Sequence, residues 1–373
     1  MIKDLFKNYI YPTATLSGSI IGVGFLSLPY IASKAGVWLT LIYLFALTAI
    51  TVLINIIVGE IAIKTPDFKR IPGFVGFHLG KWAKAVSLIT AILGGFGVLL
   101  VFLIIGSDFL SNLFQPLFGG SHIVYAFIFF IAVVLPIYFD IKVISKINFW
   151  SILLLFTSLI IIFIKGFSYF KLDNIIFFNQ EPFFKIFFLP YGPIIFSLWG
   201  VGIIPEVEEM LRGNKKNIKK IIAASVLIPA LVYFLFIFLI LAITGNQTTE
   251  SALVGLKNVD SWAAYAGLLA GAIVVFNIFI SVGLILKKIF MYDIGIKKNQ
   301  AIIITCFLPM ILFLLGLRFF IPIISFIGGV FIGIDGILIL LTYKKIGGKK
   351  IISYPLILVF VLGIIYSIIY SIN

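Results

Sequence analysis

Ala14-Thr15-Leu16-Ser17-Gly18-Ser19-Ile20-Ile21-Gly22-Val23-Gly24-Phe25-Leu26-Ser27-Leu28-Pro29-Tyr30 is the stretch on which the fold turns. It is apolar enough to enter a bilayer, yet it holds three glycines, four serine or threonine hydroxyls and a proline. A helix over it has a weak middle. Gly22 and Gly24 each cost about 1 kcal/mol relative to alanine, and glycine opens backbone conformations that other residues avoid. Within lipid, unwound backbone is tolerated only where protein buries it or where it lines a cavity. The freed amides and carbonyls then need partners, which a polar substrate or an ion can supply. Ser197-Leu198-Trp199-Gly200-Val201-Gly202-Ile203-Ile204-Pro205 repeats the Gly-Val-Gly tripeptide, again with a proline after it. Two glycine-interrupted membrane segments at corresponding places in two halves point to a transporter's binding site. The plainer role of such residues is close helix packing. One glycine-rich helix would favour that role; two at matching positions favour the site.

Composition agrees with a membrane setting. The 373 residues are 62% hydrophobic and 11% charged, with a mean hydropathy of +1.22, against roughly 45–50% apolar and about 25% charged in soluble domains. The fold class is therefore an all-α polytopic membrane protein, with room for about ten to twelve spans. The net charge of +14 argues for no nucleic-acid partner, because the lysines cluster between apolar runs as the positive-inside rule expects. Cys306 is the single cysteine and reads as a small buried hydrophobe. His78 and His122 lie far apart, and no Cys/His cluster marks a metal site. Lys3 and Lys7 precede an apolar run too long for a cleaved signal, so it reads as a retained first helix.

Eleven spans thread the chain: Pro12–Lys34, Val37–Ile63, Ala85–Ser107, His122–Phe139, Ile147–Ile164, Phe188–Leu211, Ile221–Thr244, Ser261–Leu286, Ala301–Leu317, Phe319–Thr342 and Ile351–Ile372. Pro72-Gly73 marks a turn in the basic loop after the second span, and Ser111 to Ser121 reads as a loop free of Lys and Arg. Gly166–Phe187 is a partly amphipathic outer segment, and Gly245–Asp260 a polar one with room for a short helix. With the N-terminus in the cytoplasm and the C-terminus outside, 22 of the 28 basic residues fall in inward segments. Residues 12–165 and 188–342 form two sets of five spans. The odd number inverts the second set relative to the first, and the eleventh span, 351–372, is an appendage.

If the first helix unwinds at Ile21 to Gly24, the half-helix from Phe25 aims its amides at the gap and seats a carboxylate. The carbonyls near Gly18 to Ile21 suit an ammonium group or a small cation. In the sixth span, Phe196 to Gly200 offer further carbonyls, with Ser197 as a hydroxyl and Trp199 as a bulky wall. Ser17, Ser19, Ile21, Gly22, Val23, Gly24, Phe196, Ser197, Trp199 and Gly200 are the candidate substrate-binding residues.

Gly18, Ile21, Asn277, Ser281 and Asp335 are the candidates for ion coupling. Asn277 and Ser281, four apart, share a helical face and fit either a sodium site or an interhelical hydrogen bond. Asp335 is the acid placed well inside a span, between Gly333 and Gly336. It fits a proton carrier, a gate or a satisfied packing polar. Glu60, Glu206, Glu208 and Glu209, at inner span ends, suit interfacial pairing or an inner gate. No phosphate loop, histidine-based nucleophile or paired metal ligands suggest an enzyme, and the chain calls for no cofactor beyond a coupling ion, H+ or Na+.

These residues resemble the amino acid/auxin permease family of the amino acid–polyamine–organocation superfamily. The likeness rests on Gly18-Ser19-Ile20-Ile21-Gly22-Val23-Gly24-Phe25-Leu26-Ser27-Leu28-Pro29-Tyr30 and on Phe196-Ser197-Leu198-Trp199-Gly200-Val201-Gly202-Ile203-Ile204-Pro205-Glu206-Val207-Glu208-Glu209-Met210 with its basic loop. Ile327-Gly328-Gly329 in the tenth span adds to it. The resemblance implies a five-plus-five inverted repeat similar to the bacterial leucine transporter, moving amino acids with protons or sodium. Ser19 to Gly24 and Phe196 to Gly200 would then hold the substrate backbone. Phe25 stands where sodium-coupled relatives of that fold can carry a polar ligand, against one of the two sodium sites. Trp199 is larger than its usual counterpart.

The expectation is an ion-coupled amino acid symporter in a prokaryotic plasma membrane. It works by alternating access, with spans one, two, six and seven rocking against three, four, eight and nine. Its rivals are a same-fold transporter for a polyamine, nucleobase or metal ion, and a membrane receptor or assembly partner that does not transport. Its partners are the amino acid, the coupling ion and the bilayer. Oligomeric state has no signature in the sequence.

Overall fold

Peptide groups inside lipid have no water to bond with, and coiling satisfies them within each segment. The computed structural model describes residues 6–66, 70–139, 144–175, 186–211, 217–258 and 261–372, and every regular element among them is helical. In chain order these are α1 (Tyr11–Ile20), α2 (Leu28–Ala35), α3 (Val37–Lys64), α4 (Ile71–Leu79), α5 (Lys81–Phe118), α6 (His122–Tyr138), α7 (Ile144–Gly166), α8 (Tyr191–Leu198), α9 (Ile204–Met210), α10 (Ile218–Thr244), α11 (Ser261–Lys288), α12 (Lys298–Leu314), α13 (Phe320–Phe326), α14 (Ile332–Lys345) and α15 (Lys350–Ile372).

Among the described residues, six helical stretches are long and apolar enough to cross a membrane, and α1 with α2 makes a seventh, bent by 47° at its break. The other apolar segments are shorter: α6 and α12 have 17 residues each, and the expected sixth span is split between α8 and α9. Of the basic residues used to orient the chain, Lys3, Lys69, Lys142, Lys185, Arg212, Lys215 and Lys216 lie outside the described residues, as does 176–185 of the expected outer segment.

Two local expectations are corrected. Pro72-Gly73 opens a helix instead of making a turn: Pro72 occupies the first turn of α4, where its missing N–H costs nothing. The expected loop from Ser111 continues α5 to Phe118. Pro116 leaves the Asn112 carbonyl, four residues back, without its amide donor, and Lys257 Nζ donates to that carbonyl at 2.6 Å instead. A chain reversal that does need glycine is Gly36, at φ +90° between α2 and α3.

The outer surface is apolar, and the mostly apolar interior holds the small polar side chains. On α3, Trp38, Ile42 and Phe45 are exposed, at the spacing of one helical stripe. Its buried face carries Thr40, Thr48, Thr51 and Asn55. Thr40 and Thr48 return their hydroxyls to carbonyls four residues back, at 2.9 and 2.6 Å, and the Asn55 amide does the same at 2.8 Å. An outward apolar stripe of this kind is lipid-facing surface, and the chain is an integral membrane protein. The broken helices occupy the centre: Leu16, Val23, Phe25, Leu198 and Val201 are buried. Around them α5 packs on α6 and α11, α11 on α7, α10 on α1 and α3, and α14 on α15.

α15, the expected eleventh span, is a working part of this packing. A Cβ added to Gly336 of α14 would lie 2.6 Å from the Phe360 ring of α15, and one on Gly333 would lie 2.7 Å from Ile364. Gly336→Val should therefore overpack this contact at about 1–3 kcal/mol and lower the melting temperature of the purified protein by several degrees. An unchanged melt would refute the close α14–α15 contact.

Candidate functional site

The first break is an inverse γ-turn. The Ile21 amide closes α1 by donating to the Ser17 carbonyl at 2.9 Å, and the Gly22 amide turns back to the Ile20 carbonyl at 2.7 Å. Ile21 sits at φ −72°, ψ 78°, the ordinary geometry of such a turn. A 3-10 turn over Gly24–Ser27 then leads into α2, with Pro29 in its first turn. The second break spans Trp199 and Gly200, followed by a 3-10 turn over Val201–Ile203 and by α9, with Pro205 in its first turn. Both second halves thus begin with proline near the start, where φ is already helical.

The glycines are needed for contact, not for conformation. Neither Gly22 nor Gly24 has a positive φ, contrary to what their freedom suggested. A Cβ on Gly24 would lie 2.5 Å from Ser197 Oγ and 3.0 Å from Ser197 Cα; one on Gly200 would lie 2.6 Å from Ile20 Cγ1. Each helix therefore presses a glycine into the other helix beside its break. Gly22 differs: its nearest neighbour would be Ile278 Cδ1 at 3.7 Å, so its missing side chain leaves open space.

Tyr233 of α10 closes the junction. Its hydroxyl lies 2.8 Å from the Ile20 carbonyl and 2.9 Å from the Ser197 carbonyl, one at the end of each broken half-helix. A phenol has one hydrogen, so it donates to these two oxygens alternately. Phe25 stacks on the Tyr233 ring with centroids 5.5 Å apart and planes within 2°. Of the carbonyls expected to be open at the end of α1, that of Ile20 is thus occupied.

A cavity of about 270 Å³ runs from the two breaks to Arg70 and Pro72, close to the lower end of ligand pockets, about 300–1,000 Å³. Ser19, Gly22, Val23, Gly24, Phe196, Ser197, Trp199 and Gly200 line it, as do Ser281 and Asp335. Ser17, Gly18, Ile21 and Asn277 do not. Ser17 Oγ turns to the Ser225 carbonyl of α10 at 3.1 Å, and Gly18 and Ile21 are buried behind the wall. On α11 the wall is made by Ile278 and Ser281; Asn277 is rotated about 100° from Ile278, and Ser281 Oγ donates to its backbone carbonyl at 2.9 Å. The Asn277–Ser281 face therefore does not open onto the cavity as a pair.

Residues not singled out from sequence complete the wall: Ser87, Thr90, Gly94, Val98 and Phe102 from α5, and Ile327 and Phe331 beside α14. Ser87 and Thr90 are three apart on one face, a pattern that could have been noticed within the apolar third span. Trp199 backs onto Phe360 of α15 in an edge-on contact at 6.4 Å. Arg70 pairs with Glu206 of α9 at 2.7 Å, and Lys219 with Glu60 at 2.6 Å. These are the interfacial pairings expected of those acids.

Comparison with known proteins follows the same lines. Residues 8–343 match the sequence profile of the family described as "Transmembrane amino acid transporter protein". A curated relative, the tyrosine-specific transport system 1 of Haemophilus influenzae, is 22% identical over 227 residues; the match covers 60% of this chain and about half, 55%, of that relative's length. The structure resembles MhsT, solved in complex with L-phenylalanine, with a TM-score of 0.70, 15% identity and coverage of 96% of this chain and 98% of that one. It also resembles Mhp1, a nucleobase-cation-symport-1 family transporter, in a closed conformation with bromovinylhydantoin bound. There the TM-score is 0.67 at 15% identity, covering 96% and 90%. These neighbours share the fold of the bacterial leucine transporter, and so does this chain.

The glycine geometry separates two phenotypes. Gly24→Ala and Gly200→Ala should each destabilise the purified protein by about 1–3 kcal/mol through overpacking, whereas Gly22→Ala should melt like wild type. Equal melting of all three would contradict the reciprocal contact. Tyr233→Phe should leave one buried carbonyl unpaired, at about 1–3 kcal/mol, and lower the melt accordingly.

Proposed function

The chain belongs to the family of transmembrane amino acid transporter proteins, and from that premise we propose that it is a secondary active, ion-coupled amino acid transporter whose substrate sits between the two helix breaks. One observation carries this: the two interrupted helices meet at a single cavity, each break lining it. The substrate carboxylate faces the amides at the start of the Gly24–Ser27 turn, where a helix N-terminus favours negative charge. The ammonium group faces carbonyls of the two breaks other than those of Ile20 and Ser197, which Tyr233 holds. The side chain lies against Val98, Phe102, Phe196, Trp199, Ile278 and Phe331, a wall of carbon and aromatic rings. That wall supports a neutral amino acid with an apolar or aromatic side chain. The tyrosine-specific relative and the phenylalanine complex of MhsT agree with it.

In this reading the chain has eleven spans, α6, α7, α12 and the α8–α9 pair each counting as one. Residues 12–165 and 188–342 are the two inverted repeats, and α15 is the added helix. The N-terminus is cytoplasmic and the C-terminus lies outside the plasma membrane. The Arg70 end of the cavity then faces the cytoplasm, where the Arg70–Glu206 pair serves as an inner gate. Alternating access moves the first, second, sixth and seventh spans against the third, fourth, eighth and ninth.

A thermal-shift screen of the purified protein against the common amino acids tests the substrate class, because a ligand that binds only the folded form raises the melting temperature. Tyrosine, phenylalanine, tryptophan or a large aliphatic amino acid should give the largest shift, and lysine or glutamate none. Gly22→Leu, which fills the cavity, should abolish the shift while the protein stays folded. Silence from every amino acid, or an undiminished shift in Gly22→Leu, would overturn the proposed site.

A further inference from the structure

Two charged side chains reach the cavity wall. Arg70 is paired with Glu206. Asp335 is not paired: among the described residues it has no cationic partner, and its one hydrogen bond is from Thr90 Oγ1 to its Oδ1, at 2.5 Å. Thr90 lies nine residues into α5, and Asp335 ten residues before the end of α14. That is about 14 Å of helix from the Lys81 end of α5 and from the Lys345 end of α14, at 1.5 Å per residue, inside a hydrocarbon core about 30 Å thick. An ionised carboxylate at that depth without a partner is costly, and such residues mark ion or proton paths.

The fold aims this carboxylate at α5. Gly333 and Gly336 turn one face of α14 against Ile364 and Phe360 of α15, and Asp335 lies off that face. Among the described residues the cations of the elements packed on α14 are engaged elsewhere or exposed, and Asp108 of α5 pairs with His122. On α3, Glu60 pairs with Lys219, and Lys64 donates to the Ile346 carbonyl. On α4, His78 bonds the Thr65 hydroxyl. On α5, Lys84 faces Asp293, and Lys81 lies exposed at the helix start. On α15, Lys350 is exposed and Tyr354 accepts from Lys344. Residues 327–331 carry no titratable group.

Thr90 can serve both protonation states of Asp335. Its Oγ1 lies 3.1 Å from the Ser87 carbonyl and 3.3 Å from the Val86 carbonyl. With Asp335 ionised, the Thr90 hydrogen goes to the carboxylate. When Asp335 takes up a proton, the acid O–H donates to Thr90 Oγ1, and the Thr90 hydrogen swings to the Ser87 carbonyl. One proton is gained, and no hydrogen loses its acceptor. Ser87 Oγ, buried on the same face without a bond of its own, offers a further contact. Ala91, Phe331 and Ile332 add carbon to the cavity wall.

We propose that Asp335 is the group that carries the coupling proton, with Thr90 as the positioning residue that bonds it in both states. The proposal rests on the transporter reading above. Its test is uptake into proteoliposomes of a labelled mixture of the common amino acids, under an inward proton gradient, under a sodium gradient, and by counterflow without either. Wild type should accumulate label under the proton gradient. Asp335→Asn should lose about tenfold or more of that accumulation, and whatever counterflow it retains should no longer vary with pH. Thr90→Val removes the donor to the ionised form, which favours the protonated one, so its half-maximal uptake should move to higher pH. Gradient-driven accumulation by Asp335→Asn at wild-type levels, or accumulation by wild type under the sodium gradient alone, overturns the proposal and leaves the transporter reading standing. Should Asp335→Asn not fold, an unshifted pH profile in Thr90→Val overturns it equally. No label moved by wild type in any arm overturns both.

Discussion

Two backbone carbonyls, those of Ile20 and Ser197, face one phenolic hydrogen on Tyr233 in the buried centre of the bundle, and the remaining contacts there follow from that shared bond. A buried carbonyl without a donor costs about 1–3 kcal/mol, so the two helix breaks tolerate little separation from α10 or from each other. Gly24 and Gly200 bring the backbones close enough for one hydroxyl to reach both. Phe25 stacks on the Tyr233 ring, and Phe236 packs edge-on against Phe25. The break in one helix is thus stabilised by the break in the other.

Much of this was legible in the sequence, though partly for a different reason. The tripeptides Gly22-Val23-Gly24 and Gly200-Val201-Gly202 marked both interruptions. The inference ran through glycine's conformational freedom, whereas the backbone there takes angles open to any residue, and steric contact between the two segments is what demands glycine at positions 24 and 200. That contact joins residues some 170 positions apart in sequence, and periodicity within one helix carries no information about it. Tyr233 escaped notice for the same reason: within an apolar run a tyrosine looks like any other core side chain until its hydroxyl is placed.

Neighbouring positions on a helix were harder to assign to cavity or core. Ser17 and Ser19 are two apart, yet one bonds α10 and the other lines the cavity; Asn277 and Ser281 share a stripe but not a function. About 100° separates consecutive side chains, and the cavity wall takes only a narrow sector of each helix. Where a boundary was misread, the cause was again a distant partner. α5 continues through Pro116 because Lys257, from a later connection, supplies the hydrogen that proline withholds from Asn112.

α15 has a place in the molecule that its position at the end of the chain did not suggest. Its outer side, with Ile351, Leu358, Leu362 and Ile365, is exposed, while Phe360 on its inner side meets Trp199 of the cavity wall. A single helix thickness therefore separates the acyl chains of the membrane from the indole that bounds the ligand space. Whatever displaces α15 reaches that indole through one aromatic contact.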